Sequence, residues 1–196
     1  IEVCHQHHSL VHTDASQAIG RCQFDFFELD IDLVSLSGHK IYGPKGIGAL
    51  LIKNELQSKI SPLIDGGGQQ NNLRSGTIPT FLAVGLGVAV EIAQSERLNL
   101  QSSVGELRDF LQSELCRLDP KARLNGALEQ KIYGNINITF SDTDAQELLM
   151  RTASDIGFST SSACAGGAVQ PSHVLQAIGL DDDQIRRTIR LCVGDN

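Results

Sequence analysis

Lys40 lies in Leu36-Ser37-Gly38-His39-Lys40-Ile41-Tyr42-Gly43-Pro44-Lys45-Gly46, a polar turn between two apolar runs. Ser37, His39 and Lys40 crowd together there, and Gly38 and Gly43 let the backbone bend. A lysine beside another cationic group, partly shielded from water, is pushed toward its neutral form and can condense with a carbonyl. Pyridoxal phosphate is a cofactor that uses such an amine, and its pyridine nitrogen needs a carboxylate partner. The plain alternative is a surface lysine in a Gly-Pro turn.

A carboxylate stands upstream, in Val11-His12-Thr13-Asp14-Ala15-Ser16-Gln17. An acid at a strand end with an amide three residues later can serve one ligand from one turn. Asp14 would salt-bridge a pyridine nitrogen, and Gln17 would hydrogen-bond a ring oxygen. By itself Asp14 also reads as a helix cap. Further on, Cys164 lies among small residues, Ala163 before it and Ala165-Gly166-Gly167 after it. Such surroundings suit a mobile, accessible nucleophilic thiol. Cys4, Cys22, Cys116 and Cys192 read instead as structural.

The elements that must carry these groups are legible as short periodic runs. Ser9–Asp14 reads as a strand and Ala15–Gly20 as a turn. Asp32–Leu36, of a length that suits a buried strand, and Gly46–Ile52, a second strand candidate, flank the lysine turn. Residues 65–72 form a Gly-rich loop leading to Arg74-Ser75-Gly76-Thr77. Pro79 suits a helix first turn, with apolar residues at helical spacing through Ala93. From about Ser95 the character changes to a charged amphipathic helix over 99–118. Then come a strand over 135–140 and a helix over 144–155, capped by Asp142, Thr143 or Asp144. A strand-like run over 158–162, helical segments over 172–178 and 181–187, and a last strand over 189–193 complete the chain. The expected boundary lies near residue 95.

Bulk properties exclude some classes. The formal charge is −7 and basic residues do not cluster, so a general nucleic-acid binder is not expected. No apolar run reaches membrane-spanning length, and no signal peptide is visible. The 5 Cys are odd in number and widely spaced, which reads as reduced thiols in the cytoplasm. Cys4, His5, His7 and His8 fit no metal-ligand spacing, so no metal is expected. Gly66-Gly67-Gly68 lacks the phosphate-loop pattern. The chain opens without Met in what reads as the end of a helix, as an excised piece would.

Taken together, His12-Thr13-Asp14-Ala15-Ser16-Gln17, the Ser37–Gly46 turn, Gly66-Gly67-Gly68-Gln69, Arg74-Ser75-Gly76-Thr77 and Ser161-Ser162-Ala163-Cys164 closely resemble the cysteine desulfurases of the NifS/IscS type, class V aminotransferase-like enzymes dependent on pyridoxal phosphate. The likeness in order and spacing covers nearly the whole chain. It implies an α/β fold, the C-terminal part of a fold-type I transferase with a mixed sheet and helices. Residues 1–95 would be the C-terminal part of the cofactor-binding large domain. Residues 96–196 would be a small α+β domain carrying the cysteine loop.

The resemblance also implies roles. Lys40 would hold the cofactor covalently and move protons, Asp14 would meet the pyridine nitrogen, and Gln17 the ring oxygen. Ser37 and His39 would hold the phosphate, and Ala15 would pack on a ring face. Thr77 would reach a phosphate in a neighbouring subunit, which implies a homodimer. Cys164 would take sulfur as a persulfide, and Arg190 would clamp the substrate carboxylate. The implied reaction converts L-cysteine to L-alanine and passes sulfur to an acceptor such as an iron–sulfur scaffold. The alternatives are a selenocysteine or cystine lyase of the same family, or a catalytically incomplete piece. The family pattern is much longer on the N-terminal side, where a ring-stacking His, an Asn and a phosphate loop are expected, and Gln70-Asn71-Asn72 replaces a more charged pattern.

Overall fold

Two short strands running the same way form the base of the first sheet. In the computed structural model, which describes residues 1–127, 131–160 and 171–194, β1 (His12–Asp14) pairs in parallel with β2 (Leu33–Ser37), and β2 pairs antiparallel with β3 (Gly48–Ile52). The sheet is therefore mixed, with β2 in the middle. Val34 is fully buried at its centre, packed with Ala15 and Ile31 and flanked by Ala18, Ile19, Phe24 and Phe26. Parallel neighbours need a crossover. Residues 15–32 supply it as turns with no regular helix. A helix α1 (Glu2–Gln6) precedes β1.

The chain divides into units Ile1–Leu98 and Asn99–Asn196. Helix α2 (Thr80–Leu118) runs through that division as one continuous element of 39 residues. Two helices with a change near residue 95 were expected, and the structure corrects this. The segment Gln94-Ser95-Glu96-Arg97-Leu98-Asn99 changes in polarity but contains neither Gly nor Pro. Nothing in it withdraws a backbone donor or favours a left-handed turn, so the helical hydrogen bonds continue. In the first unit Leu86 and Ala89 of α2 bury Ile41, with Ile19, Leu36, Ile47, Val90 and Ala93 around them.

The second unit holds an antiparallel sheet in the order β4 (Arg123–Leu124), β5 (Asn135–Thr139), β6 (Thr188–Cys192). Ile136, Ile138, Phe140 and Ile189 form its core, together with Ala145 of α3 (Ala145–Thr152). Of the three candidate caps for α3, Asp144 does the work, accepting from the Gln146 and Glu147 backbone N–H groups. Helix α4 (His173–Ala177) is capped by Ser172, and α5 (Asp182–Arg186) by a reciprocal pairing of Asp181 with Gln184. The expected strand over 158–162 reduces, among the described residues, to one bridge between Ser159 and Arg190. Residues 161–162 lie outside the described residues. No helix among them is long and apolar enough to cross a membrane.

Candidate functional site

Parallel strands end on the same edge of a sheet, and polar residues gather at that edge in open α/β folds. Asp14 is the last residue of β1 and Ser37 the last of β2, with Asp14 in register with Ser35. The lysine turn follows at once as a tight 3₁₀ turn, Gly38–Ile41. Its ends are fixed from inside. Gly38 N–H donates to Ile47 O at 3.0 Å, and Gly43 N–H donates to Gly38 O at 2.9 Å. Tyr42 takes a left-handed conformation, φ 59°, to close it. Gly43 must lack a side chain, because a Cβ there would lie 2.9 Å from Gly38 O and 3.0 Å from Ala89 Cβ. Gly38 and Ile41 are buried while His39 and Lys40 are exposed. The turn is thus pinned by its first and last residues and presents the two between.

Asp14 is held from below. Ser16 donates to Asp14 Oδ1 twice, from its hydroxyl at 2.5 Å and its backbone N–H at 2.9 Å. The Ser16 hydroxyl and then its N–H keep the Asp14 carboxyl below the ordinary carboxylate range, against a small opposing effect of desolvation, and the nearby His12 acts in the same direction. Asp14 is therefore a carboxylate at neutral pH, and its Oδ2 has no partner among the described residues. Lys40 likewise makes no hydrogen bond or ion pair with a described residue. An acid and an amine thus share one sheet edge without pairing with each other. Ser37 Oγ and His39 Nδ1 share a hydrogen bond of 2.9 Å.

This donor set fits a planar, doubly functional ligand such as pyridoxal phosphate. The free carboxylate oxygen of Asp14 would suit a protonated ring nitrogen, the amine of Lys40 an aldehyde, and the Ser37 hydroxyl and His39 imidazole a phosphate. Gln17 lies exposed in the turn after β1, its amide uncommitted to any described residue. Ala15 departs from its expected place on a ring face, because its methyl is buried against Ile31 and Val34.

Asp14, Gln17, Ser37, His39 and Lys40 therefore lie at one edge of one sheet. Thr77 is exposed in the segment before α2, following a loop closed by Gly76 N–H donating to Gln69 Oε1 at 2.9 Å. Arg190 belongs to the second unit, on β6. Its backbone exchanges hydrogen bonds with Ser159 at 2.7 and 3.1 Å, and its side chain is exposed. Cys164 lies outside the described residues. The other cysteines were expected to be structural, yet Cys4, Cys22 and Cys192 are exposed and Cys116 half-buried. Sequence reading missed the anchoring role of Ser16, although an Asp followed two residues later by Ser is a known local hydrogen-bonding pattern.

Residues 1–194 match the family model described as aminotransferase class-V. The cysteine desulfurase IscS of Ehrlichia chaffeensis is 42% identical over 194 residues, covering 98% of this chain and 47% of that protein. A solved NifS-like protein superposes with a TM-score of 0.83 at 33% identity, over 95% of this chain and 47% of the other. A structure of SspA in complex with cysteine gives 0.78 at 36% identity, over 98% of this chain and 52% of that one. The chain spans about half the length of the relatives it matches.

Proposed function

The chain belongs to the aminotransferase class-V family, and from that premise we propose that the whole protein is a pyridoxal-phosphate-dependent cysteine desulfurase. The observation that carries the reading is the unpaired carboxylate and amine, Asp14 and Lys40, on one sheet edge. Relatives named as cysteine desulfurases support it.

When bound, the cofactor supplies an electron sink for the substrate's α-carbon and a carbonyl for amine exchange. The chain's own residues do the rest. Asp14, ionised, accepts a hydrogen bond from the ring nitrogen and keeps it protonated. Gln17 donates to the ring oxygen, while Ser37, His39 and, from a second subunit, Thr77 donate to the phosphate. Arg190 offers a two-pronged donor to the substrate carboxylate. Lys40, as the free amine, takes the α-proton and returns a proton to the product carbon. Cys164, as thiolate, attacks the substrate sulfur. The S–S bond forms as the substrate's C–S bond breaks, and the electron pair of that bond stays with the β-carbon, which takes a proton. The sulfur is oxidised and the carbon reduced, leaving a persulfide on Cys164 and L-alanine as the other product.

The persulfide is then handed to a sulfur-acceptor protein, for which an iron–sulfur scaffold is the expected class. The same reading makes the whole protein a homodimer in the cytoplasm, where thiols stay reduced. Because the chain spans about half the length of its relatives, the 196-residue piece alone is expected to hold part of the site and to turn over little or nothing. The test uses the whole protein with pyridoxal phosphate and L-cysteine, with alanine and persulfide measured together. Alanine formed without persulfide on Cys164, or a Cys164→Ala variant that still delivers sulfur to an acceptor, overturns the assignment.

A further inference from the structure

Strand β1 carries a second polar side chain on the face that bears Asp14. Residues two apart in a strand share a face, so His12 and Asp14 point to the same side. On β2, Ser35 is in register with Asp14, and Ser37 follows two residues later on the same face. The His12 ring reaches diagonally between the strands, with Nε2 2.6 Å from Ser35 Oγ. That hydrogen bond is at the short end of the range for an imidazole and a hydroxyl. It spans the two strands whose ends carry the acid and the amine, just behind the acid. His12 is exposed and the sheet core lies on other residues, so packing of the first unit does not call for a histidine here.

We propose that His12, joined to Ser35, is a positioning residue for the Asp14 carboxylate, keeping it turned toward the ring nitrogen of a bound pyridine cofactor. Three features support this. Asp14 Oδ1 is saturated by Ser16, so whatever orients the free Oδ2 must act through its surroundings. The Ser35 hydroxyl stands opposite Asp14 in the ladder and is tied by His12. The His12 imidazole two residues away acts on the Asp14 carboxyl in the same direction as the two Ser16 bonds, as a smaller influence beside them. The titratable and charged groups on this edge are His12 and Asp14 from β1 and, after β2, His39 and Lys40. Lys40 is reserved for the cofactor carbonyl, which leaves His12 as the basic side chain on Asp14's own strand. The inference rests on the reading of Asp14 as the ring-nitrogen partner.

The test loads the whole protein with pyridoxal phosphate labelled with ¹⁵N in the ring. The nitrogen resonance reports protonation of the ring directly and is read without turnover. In the unaltered protein the nitrogen is protonated across neutral pH. Asp14→Asn should abolish that protonation, and failure to do so removes the cofactor reading itself. His12→Leu should lower the pH at which the ring nitrogen loses its proton and weaken cofactor binding about 3- to 10-fold. Ser35→Ala should do the same to a smaller extent, and the double variant should be no worse than His12→Leu alone, since both act through one contact. His12→Gln, which keeps a hydrogen-bonding group, should recover part of the loss. An unchanged nitrogen resonance and affinity in His12→Leu, with Asp14→Asn altered as expected, overturns the positioning role and leaves the cofactor reading standing. Additive effects of His12→Leu and Ser35→Ala overturn it too.

Discussion

Asp32 lies at the end of the first sheet opposite the candidate site, immediately before β2, and is buried. Val11 N–H and His5 Nε2 each reach its Oδ2 at 2.8 Å, and Lys53 Nζ lies 3.0 Å from its Oδ1. Lys53 also pairs with Asp30 at 2.5 Å. Burial works to raise the Asp32 carboxyl, but the Val11 N–H, His5 and Lys53 together bring it from 3.8 down to about 2. A carboxyl lowered on folding contributes stability above its unfolded value and loses it as pH falls toward the folded value. The stability at stake is about 2 kcal/mol. Urea unfolding midpoints should therefore fall between pH 4 and pH 2, and the Asp32→Asn variant should lose that part of the slope. At neutral pH, Asp32→Ala should cost about 2 kcal/mol, since it leaves the Val11 N–H without its acceptor at a buried position, while Asp30 still pairs with Lys53. At the other edge, Lys40→Ala should abolish attachment of pyridoxal phosphate after borohydride treatment, read as the absence of added mass on the intact protein. The lysine turn was legible in the sequence because its parts are contiguous. The Asp32 cluster was not, because its partners come from residues 5, 11 and 53, and Asp32 itself sits within a run that otherwise reads as apolar.

At the scale of elements, local rules sufficed where the signal was local. Asp144 and Asp181 cap their helices as their positions allow, and Asp181→Ala should cost about 1 kcal/mol, measured by thermal unfolding. Helix α2 shows where composition misleads. A change from apolar to charged residues resembles a break, but a helix ends where backbone donors are lost or a left-handed residue intervenes. Leu98→Pro, in the exposed middle of α2, removes one such donor and should cost about 3 kcal/mol, with a measurable loss of far-ultraviolet ellipticity. The lysine turn obeys the same logic in reverse. Gly43→Ala should destabilise the first unit and displace Lys40, because the added methyl meets Gly38 O and Ala89. Reading the sequence located that glycine as a bend but could not see Ala89 beside it, since α2 returns to the turn only in three dimensions.

For the molecule as a whole, the apolar surface is the informative quantity. Phe81, Val84, Val88 and Ile92 of α2 recur at spacings of three and four and are all exposed, as are Leu50 and Leu51 of β3. A contiguous stripe of this kind is unusual on a soluble monomer. The 196-residue chain on its own should bind anilinonaphthalene sulfonate and self-associate, and replacing Val84 and Val88 together by Glu should reduce both while leaving the circular dichroism spectrum unchanged. The spacing that makes the stripe is plain in the sequence, but its exposure is not, because periodicity marks an apolar face without naming what lies against it. The parallel pairing of β1 with β2 has a different consequence. A ladder of backbone hydrogen bonds sets how far apart Asp14 and the start of the lysine turn stand, so a flat ring arriving there finds its two anchor points already spaced. If pyridoxal phosphate binds as proposed, altering other walls around this edge would leave its arrival rate nearly untouched and show itself as a shortened residence time.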